Sequence, residues 1–221
     1  MFLEINDFLK AEEVARLRDL ASRVTFVDGR ISNPHNQAKK NLQASETDPL
    51  YAESSRIVAD AFARSGPFRD FAFPAHVAQP LLARYEVGMT YGAHADTCHM
   101  RFGNEMHRSD LSATVWLTPA HSYEGGELVV HLGTRPVVIK GEPGSVLVYP
   151  STHLHEVTPV RRGQRLVSIT FIESRIPDEF QRTQLYELNE VAALEGLKMA
   201  WGSRVRLEAV KNNLLRLWTR S

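Results

Sequence analysis

Between Leu111 and Ile172 the chain passes from one short β-prone run to the next with no helical pattern in between, and this most limits what it can fold into. Leu111, Ala113, Val115 and Leu117 alternate with Ser112, Thr114 and Trp116, the two-residue period of a half-buried strand. Glu127–Leu132, Pro136–Ile139, Ser145–Tyr149 and Arg165–Ile172 are further short runs rich in strand formers. Gly125-Gly126, Gly133, Gly141, Pro143-Gly144, Pro150, Pro159 and Gly163 punctuate them as turns. A parallel sheet would need helical crossovers here, so the pattern predicts an antiparallel sandwich or barrel.

Helical periods flank this region. Val14, Leu17, Ala21 and Val24 form one amphipathic stripe. Asp48-Pro49 reads as a cap and first turn, Tyr51, Ser55, Val58 and Phe62 share a face, and Gly66-Pro67 is expected to stop that helix. Leu207, Val210, Leu214 and Leu217 repeat the stripe near the end, as a face packed on the β-core or on a partner. The fold expected is mainly β with flanking helices (α+β). It divides into a helical segment over 1–76, a β-core over 77–177 and a helical appendage over 178–221.

The 221 residues can bury a substantial core without disulfides. Lys and Arg number 26 against 26 Asp and Glu, so no charge excess favours nucleic acid. No apolar run approaches the ~18 residues that span a bilayer. The opening Met1-Phe2-Leu3-Glu4 lacks the basic and apolar regions of a secretory signal. The single cysteine, Cys98, forms no intramolecular disulfide and is expected as a small buried residue. Together these point to a cytoplasmic protein with no nucleic-acid or membrane partner.

Several of the nine histidines cluster between His94 and His155. In His94-Ala95-Asp96, residues two apart on a strand point the same way, so imidazole and carboxylate converge. His155 follows the Ser145–Tyr149 run, and Arg165 heads the next strand on the same face as Val167, Ile169 and Phe171. An inward arginine needs an anionic partner; a ligand carboxylate held in a bidentate fork satisfies it. Two histidines and one carboxylate on one side of a metal make the facial triad of non-haem Fe(II) oxygenases, with positions left open for a 2-oxo acid and O₂. The second carboxylate of 2-oxoglutarate suits Arg165, and Tyr85 on the preceding strand can donate its hydroxyl to it. Tyr91 is placed to line the pocket. His153, two residues before His155, can face the metal equally well by strand geometry alone. His99, His107, His121 and His131 are expected to be solvated or hydrogen-bonded. The segment 97–110 is expected as a loop that can cover the metal.

The stretch Arg84-Tyr85-Glu86-Val87-Gly88 through Tyr91 to His94-Ala95-Asp96, with Gly125-Gly126-Glu127-Leu128 and the His155…Arg165 pair, resembles the prolyl-4-hydroxylase-type branch of the Fe(II)/2-oxoglutarate dioxygenases. Phe26-Val27-Asp28-Gly29-Arg30, Lys40-Asn41-Leu42-Gln43, Asp110-Leu111-Ser112-Ala113-Thr114, Tyr149-Pro150-Ser151 and Asn213-Leu214-Leu215-Arg216-Leu217-Trp218 extend the likeness nearly end to end. They make the chain similar to the bacterial PKHD-type hydroxylases. The resemblance implies a double-stranded β-helix (jelly-roll) core. It also implies Fe(II) on His94, Asp96 and His155, 2-oxoglutarate on Arg165, O₂ as co-substrate and L-ascorbate dependence. It favours His155 over His153. It leaves the substrate, small-molecule or peptidyl, unnamed, and a homodimer through the helical segments is compatible with it. A non-catalytic iron or 2-oxoglutarate sensor would use the same ligands. A zinc hydrolase would have no need of the inward arginine.

Overall fold

The computed structural model describes residues 1–33, 36–102 and 105–219. In chain order its elements are β1 (Leu3–Ile5), α1 (Ala11–Arg23), β2 (Phe26–Asp28), β3 (Lys39–Lys40), β4 (Leu42–Ala44), α2 (Pro49–Arg64), α3 (Gly66–Ala72), β5 (Pro74–Val77), β6 (Leu81–Tyr85) and β7 (Thr90–His94). There follow β8 (His99–Phe102), β9 (Glu105–Arg108), β10 (Leu111–Trp116), β11 (Leu128–Leu132), β12 (Arg135–Ile139), β13 (Val146–Pro150), β14 (His155–Val157), β15 (Arg165–Ser174), α4 (Glu179–Glu195) and α5 (Trp201–Trp218). Short 3-10 turns at Gly29–Ser32 and Ala120–Ser122 complete it.

Two antiparallel sheets form the body. The larger runs β1-β13-β10-β15-β6-β4-β2 with β5 paired to the far end of β15, and the smaller runs β12-β11-β14-β7-β3. Between them lies a core of Ala83, Tyr85, Trp116, Leu128, Val130, Leu147, Tyr149, Val157 and Val167. A second core, including Leu17, Val58, Phe62 and Phe68 from the helices and Leu111, Ala113 and Val115 from β10, fills the space between α1–α3 and the other face of the larger sheet. Each fully buried Leu, Val or Phe there contributes roughly 1.5–3 kcal/mol.

This arrangement corrects the expectation of a half-buried strand at 111–117. All six residues of β10 are buried, because helices cover one face and the second sheet covers the other. Its apolar set faces the helices, whereas Ser112 and Thr114 line the space between the sheets. The first 76 residues also supply β1, β2, β3 and β4, which extend both sheets.

Asp48 caps α2 by accepting from the Leu50 N–H at 2.9 Å. The Gly66-Pro67 pair does not simply stop that helix; it starts another. Ser65 ends α2 and caps α3, accepting from the Phe68 N–H, and Pro67 sits where a helix lacks internal N–H bonds anyway.

The 97–110 segment is not an open loop. Its described part is the β8–β9 hairpin, with His99 opposite Arg108 and Met100 opposite His107; Gly103 and Asn104 lie outside the described residues. Cys98 is exposed, contrary to the expectation of burial. The C-terminal stripe does not settle on the β-core: α4 docks through Leu185 and through Tyr186 against Phe71, but α5 has no buried residue and leaves Val210 and Leu217 exposed. Among the described residues, no helix is long and apolar enough to cross a membrane.

Candidate metal centre

His94 closes β7 and His155 opens β14, and the two are cross-strand partners in the smaller sheet. Asp96 follows β7 by two residues, and its own N–H bonds the Ser151 carbonyl at 3.3 Å. The potential ligand atoms of His94, Asp96 and His155 all lie within 4.8 Å of one another. Nε2 of His94 is 3.9 Å from Asp96 Oδ1, and Nε2 of His155 is 3.6 Å from Asp96 Oδ2.

Local geometry aims both rings. Nδ1 of His94 faces the Gly92 carbonyl at 2.8 Å, and Nδ1 of His155 faces the His153 carbonyl at 3.0 Å. A carbonyl only accepts, so each Nδ1 carries the proton and each Nε2 presents its lone pair to the centre. Tyr91 stacks on His94 with centroids 3.6 Å apart, and Tyr149 meets His155 edge-on at 5.2 Å. Burial, and next the neighbouring His155, lowers the His94 pKa, which favours the neutral ligand form. His153 contributes its backbone carbonyl, while its ring packs against Phe2 at 5.9 Å and is not among the pocket-lining groups.

Sequence reasoning missed the group that positions Asp96. Ser112 of β10 donates to Asp96 Oδ2 at 2.5 Å. Its oxygen is then left to accept from Ser151 at 2.7 Å, and Ser151 in turn accepts from Ser109 at 2.9 Å. Three buried hydroxyls thus run in one direction toward the carboxylate. A serine in phase with the pocket side of an apolar strand was the available signal.

Deeper between the sheets, Arg165 opens β15 opposite Tyr85 of β6. It is 2% exposed, and among the described residues no carboxylate pairs with it. Its Nε has no partner, and its guanidinium lies 4.9 Å from the Tyr85 ring centroid. Burial raises the Tyr85 pKa, with Arg165 opposing, so its hydroxyl stays a donor. A buried guanidinium with unused donors is costly unless an anion joins it. Gly126, at φ +66°, passes so close that a Cβ would sit 3.1 Å from Arg165 Cδ.

His94, Asp96, His155, Tyr85 and Arg165 line one cavity of about 150 Å³, together with Lys39, Tyr91 and Met100. Lys39 was not singled out by sequence. It is 7% exposed, donates to Ser32 Oγ at 2.6 Å and lies 5.3 Å from the Tyr91 centroid; desolvation lowers its pKa to about 8, with Asp96 opposing. Of the remaining histidines, His107 is hydrogen-bonded to Glu173 at 2.7 Å, as expected, whereas His131 Nε2 lies 3.3 Å from Glu156 Oε1 without a hydrogen bond. The donor set, two imidazole nitrogens and a carboxylate with room beside them, fits an open Fe(II) site better than a closed structural one.

Residues 80–173 match the 2OG-Fe(II) oxygenase superfamily. A PKHD-type hydroxylase of Sphingopyxis alaskensis is 49% identical over 207 residues, covering 94% of each chain. Another, from Xanthomonas campestris pv. campestris, is 37% identical over 227 residues and 99% of each chain. The fold is also that of a Trichoplax adhaerens prolyl hydroxylase in complex with a hypoxia inducible factor oxygen degradation domain peptide fragment, with a TM-score of 0.56 at 18% identity over 83% of this chain and 86% of that one. The 37–49% identity to the two PKHD-type hydroxylases, over nearly the whole length, makes this chain a member of that family, Fe(II)- and 2-oxoglutarate-dependent oxygenases.

Proposed function

We propose that this enzyme couples the oxidative decarboxylation of 2-oxoglutarate to hydroxylation of a small-molecule or peptidyl substrate, with His94, Asp96 and His155 holding Fe(II). The observation that carries the reading is the convergence of the two imidazole Nε2 atoms and the Asp96 carboxylate in one cavity with a buried Arg165 whose Nε has no partner. Bound together, Fe(II), 2-oxoglutarate and O₂ supply the chemistry, yielding succinate, CO₂ and a hydroxylated C–H position.

The chain's own residues do the positioning. Arg165 holds the distal carboxylate of 2-oxoglutarate in a two-pronged fork, and the Tyr85 hydroxyl donates to the same group. Ser112 fixes the Asp96 carboxylate, and the two backbone carbonyls fix the histidines. Tyr91, Tyr149 and Leu128 keep the cavity apolar around these polar groups, which strengthens every charge interaction within it. Ascorbate support, a cytoplasmic location without nucleic-acid or membrane partners, and a homodimer through the exposed face of α5 belong to the same reading.

The test is succinate release from 2-oxoglutarate with added Fe(II) under air. Wild type releases succinate in slow uncoupled turnover, and His94→Ala or Asp96→Ala abolishes it. Full activity in either variant refutes the ligand assignment. Tight metal and 2-oxoglutarate binding without any succinate would mark a sensor instead.

A further inference from the structure

A second cluster of ligating side chains lies where β5, β9 and β15 meet. His76 of β5 and Glu173 of β15 are cross-strand partners, and His107 reaches them from β9. The potential ligand atoms of the three lie within 4.8 Å of one another. Nδ1 of His107 is 2.7 Å from Glu173 Oε2, and the two imidazole centroids are 4.1 Å apart.

A histidine–glutamate ion pair accounts for two of these residues but not for a second imidazole against the same carboxylate. The outer atoms are also supported as a metal site requires. Arg108 Nη1 holds the other oxygen, Glu173 Oε1, at 2.8 Å. Nε2 of His107 lies 3.5 Å from Glu105 Oε2, the placement of a ligating histidine whose second nitrogen faces a carboxylate. Arg108 also contacts Asp110 at 3.3 Å. Arg108 is thus shared between two carboxylates, Glu173 and Asp110, while Glu105 faces His107. The side chains of His107 and Glu173 are 11% and 13% exposed, while His76 forms the open wall.

We propose that His76, His107 and Glu173 form a second divalent-metal site, with the two-nitrogen, one-oxygen donor set that suits zinc and with water completing the coordination. The ion takes the place of the proton between His107 Nδ1 and Glu173 Oε2. The ring's one hydrogen then sits on Nε2, toward Glu105. Met100, opposite His107 in the hairpin, and Phe171, two residues before Glu173, both line the pocket. An ion here ties β9 to β5 and β15.

Equilibrium dialysis of the full-length protein against zinc, followed by metal analysis, tests this. Wild type should hold two zinc ions per chain, His76→Asn one, His94→Ala one, and the double variant none. His76 is exposed, so its replacement leaves the fold intact; Glu173→Gln provides a second variant with the same expected loss. Zinc should raise the melting temperature of His94→Ala but not of His94→Ala/His76→Asn. Equal zinc content in wild type and His76→Asn overturns the proposal. If the His94 site were misassigned, His94→Ala would keep two ions while His76→Asn would still lose one, so the two failures are distinguishable.

Discussion

Removing the Ser112 hydroxyl should weaken metal binding without unfolding the protein. In Ser112→Ala, Asp96 Oδ2 loses the donor that sits 2.5 Å away. A hydrogen bond to a charged group contributes about 1.5–3 kcal/mol, and losing an outer partner of a metal ligand typically costs ~10–100-fold in affinity. Ser151 keeps Ser109 as a partner at 2.9 Å, so little is orphaned. The metal-free protein should therefore lose about 1.5–3 kcal/mol of stability and stay folded. We expect Fe(II) affinity, measured by anaerobic equilibrium dialysis, to fall at least ~10-fold. The Fe(II) concentration needed for half-maximal succinate release should rise in parallel. Ser109→Ala, two hydrogen bonds further out, should have a much smaller effect. Fe(II) affinity within twofold of wild type in Ser112→Ala, or an equal loss in Ser109→Ala, would refute the argument that this serine orients the carboxylate.

Arg165→Ala should reduce 2-oxoglutarate affinity by ~100-fold or more, because two charge-assisted bonds are lost; Arg165→Lys should recover only part of it, and isothermal titration in the presence of an inert metal reads both. Gly126→Ala should lower stability by about 1–2 kcal/mol through its left-handed backbone, and should also raise the half-saturating 2-oxoglutarate concentration, because the new methyl presses on Arg165. Lys39→Met should stabilise the fold below pH 8. The folded Lys39 pKa of about 8 lies below its ordinary 10.5, so the unfolded chain binds more protons between these values and wild-type stability rises with pH across that window. The advantage of the variant, up to about 3 kcal/mol at pH 7, should disappear by pH 10.5 in urea melts; an advantage independent of pH would exclude desolvation of the ammonium as its cause.

The β-core was legible because its strands are short, turn-bounded and strongly patterned: β11, β12, β13 and β15 begin within one residue of where the sequence puts them. The approach of His94, His155 and Arg165 to one cavity was legible for the same reason, since strand period fixes which side each faces, whereas Asp96 reaches it from just past the end of β7. Less accessible was anything decided by what covers a strand. The two-faced burial of β10 depends on α1–α3 packing from far away in sequence, so an alternating run reads as half-exposed. Ser112 was hidden for that reason, standing in what looked like the solvent phase. Gly66-Pro67 carries the same residues whether it ends a helix or begins one, and only the Ser65 cap decides. The α5 stripe shows the converse failure, since a clean apolar period finds no buried seat in the isolated chain.

The position of β10 sets how this molecule comes apart. Bonded to β13 on one side and β15 on the other, it should release its amide hydrogens to deuterium only when the whole chain opens, whereas those of α5 should exchange early. The serine that steadies Asp96 is thus housed in a strand paired on both sides. Fraying of the C-terminal helix leaves the acidic half of the centre in place, and only global denaturation dismantles it.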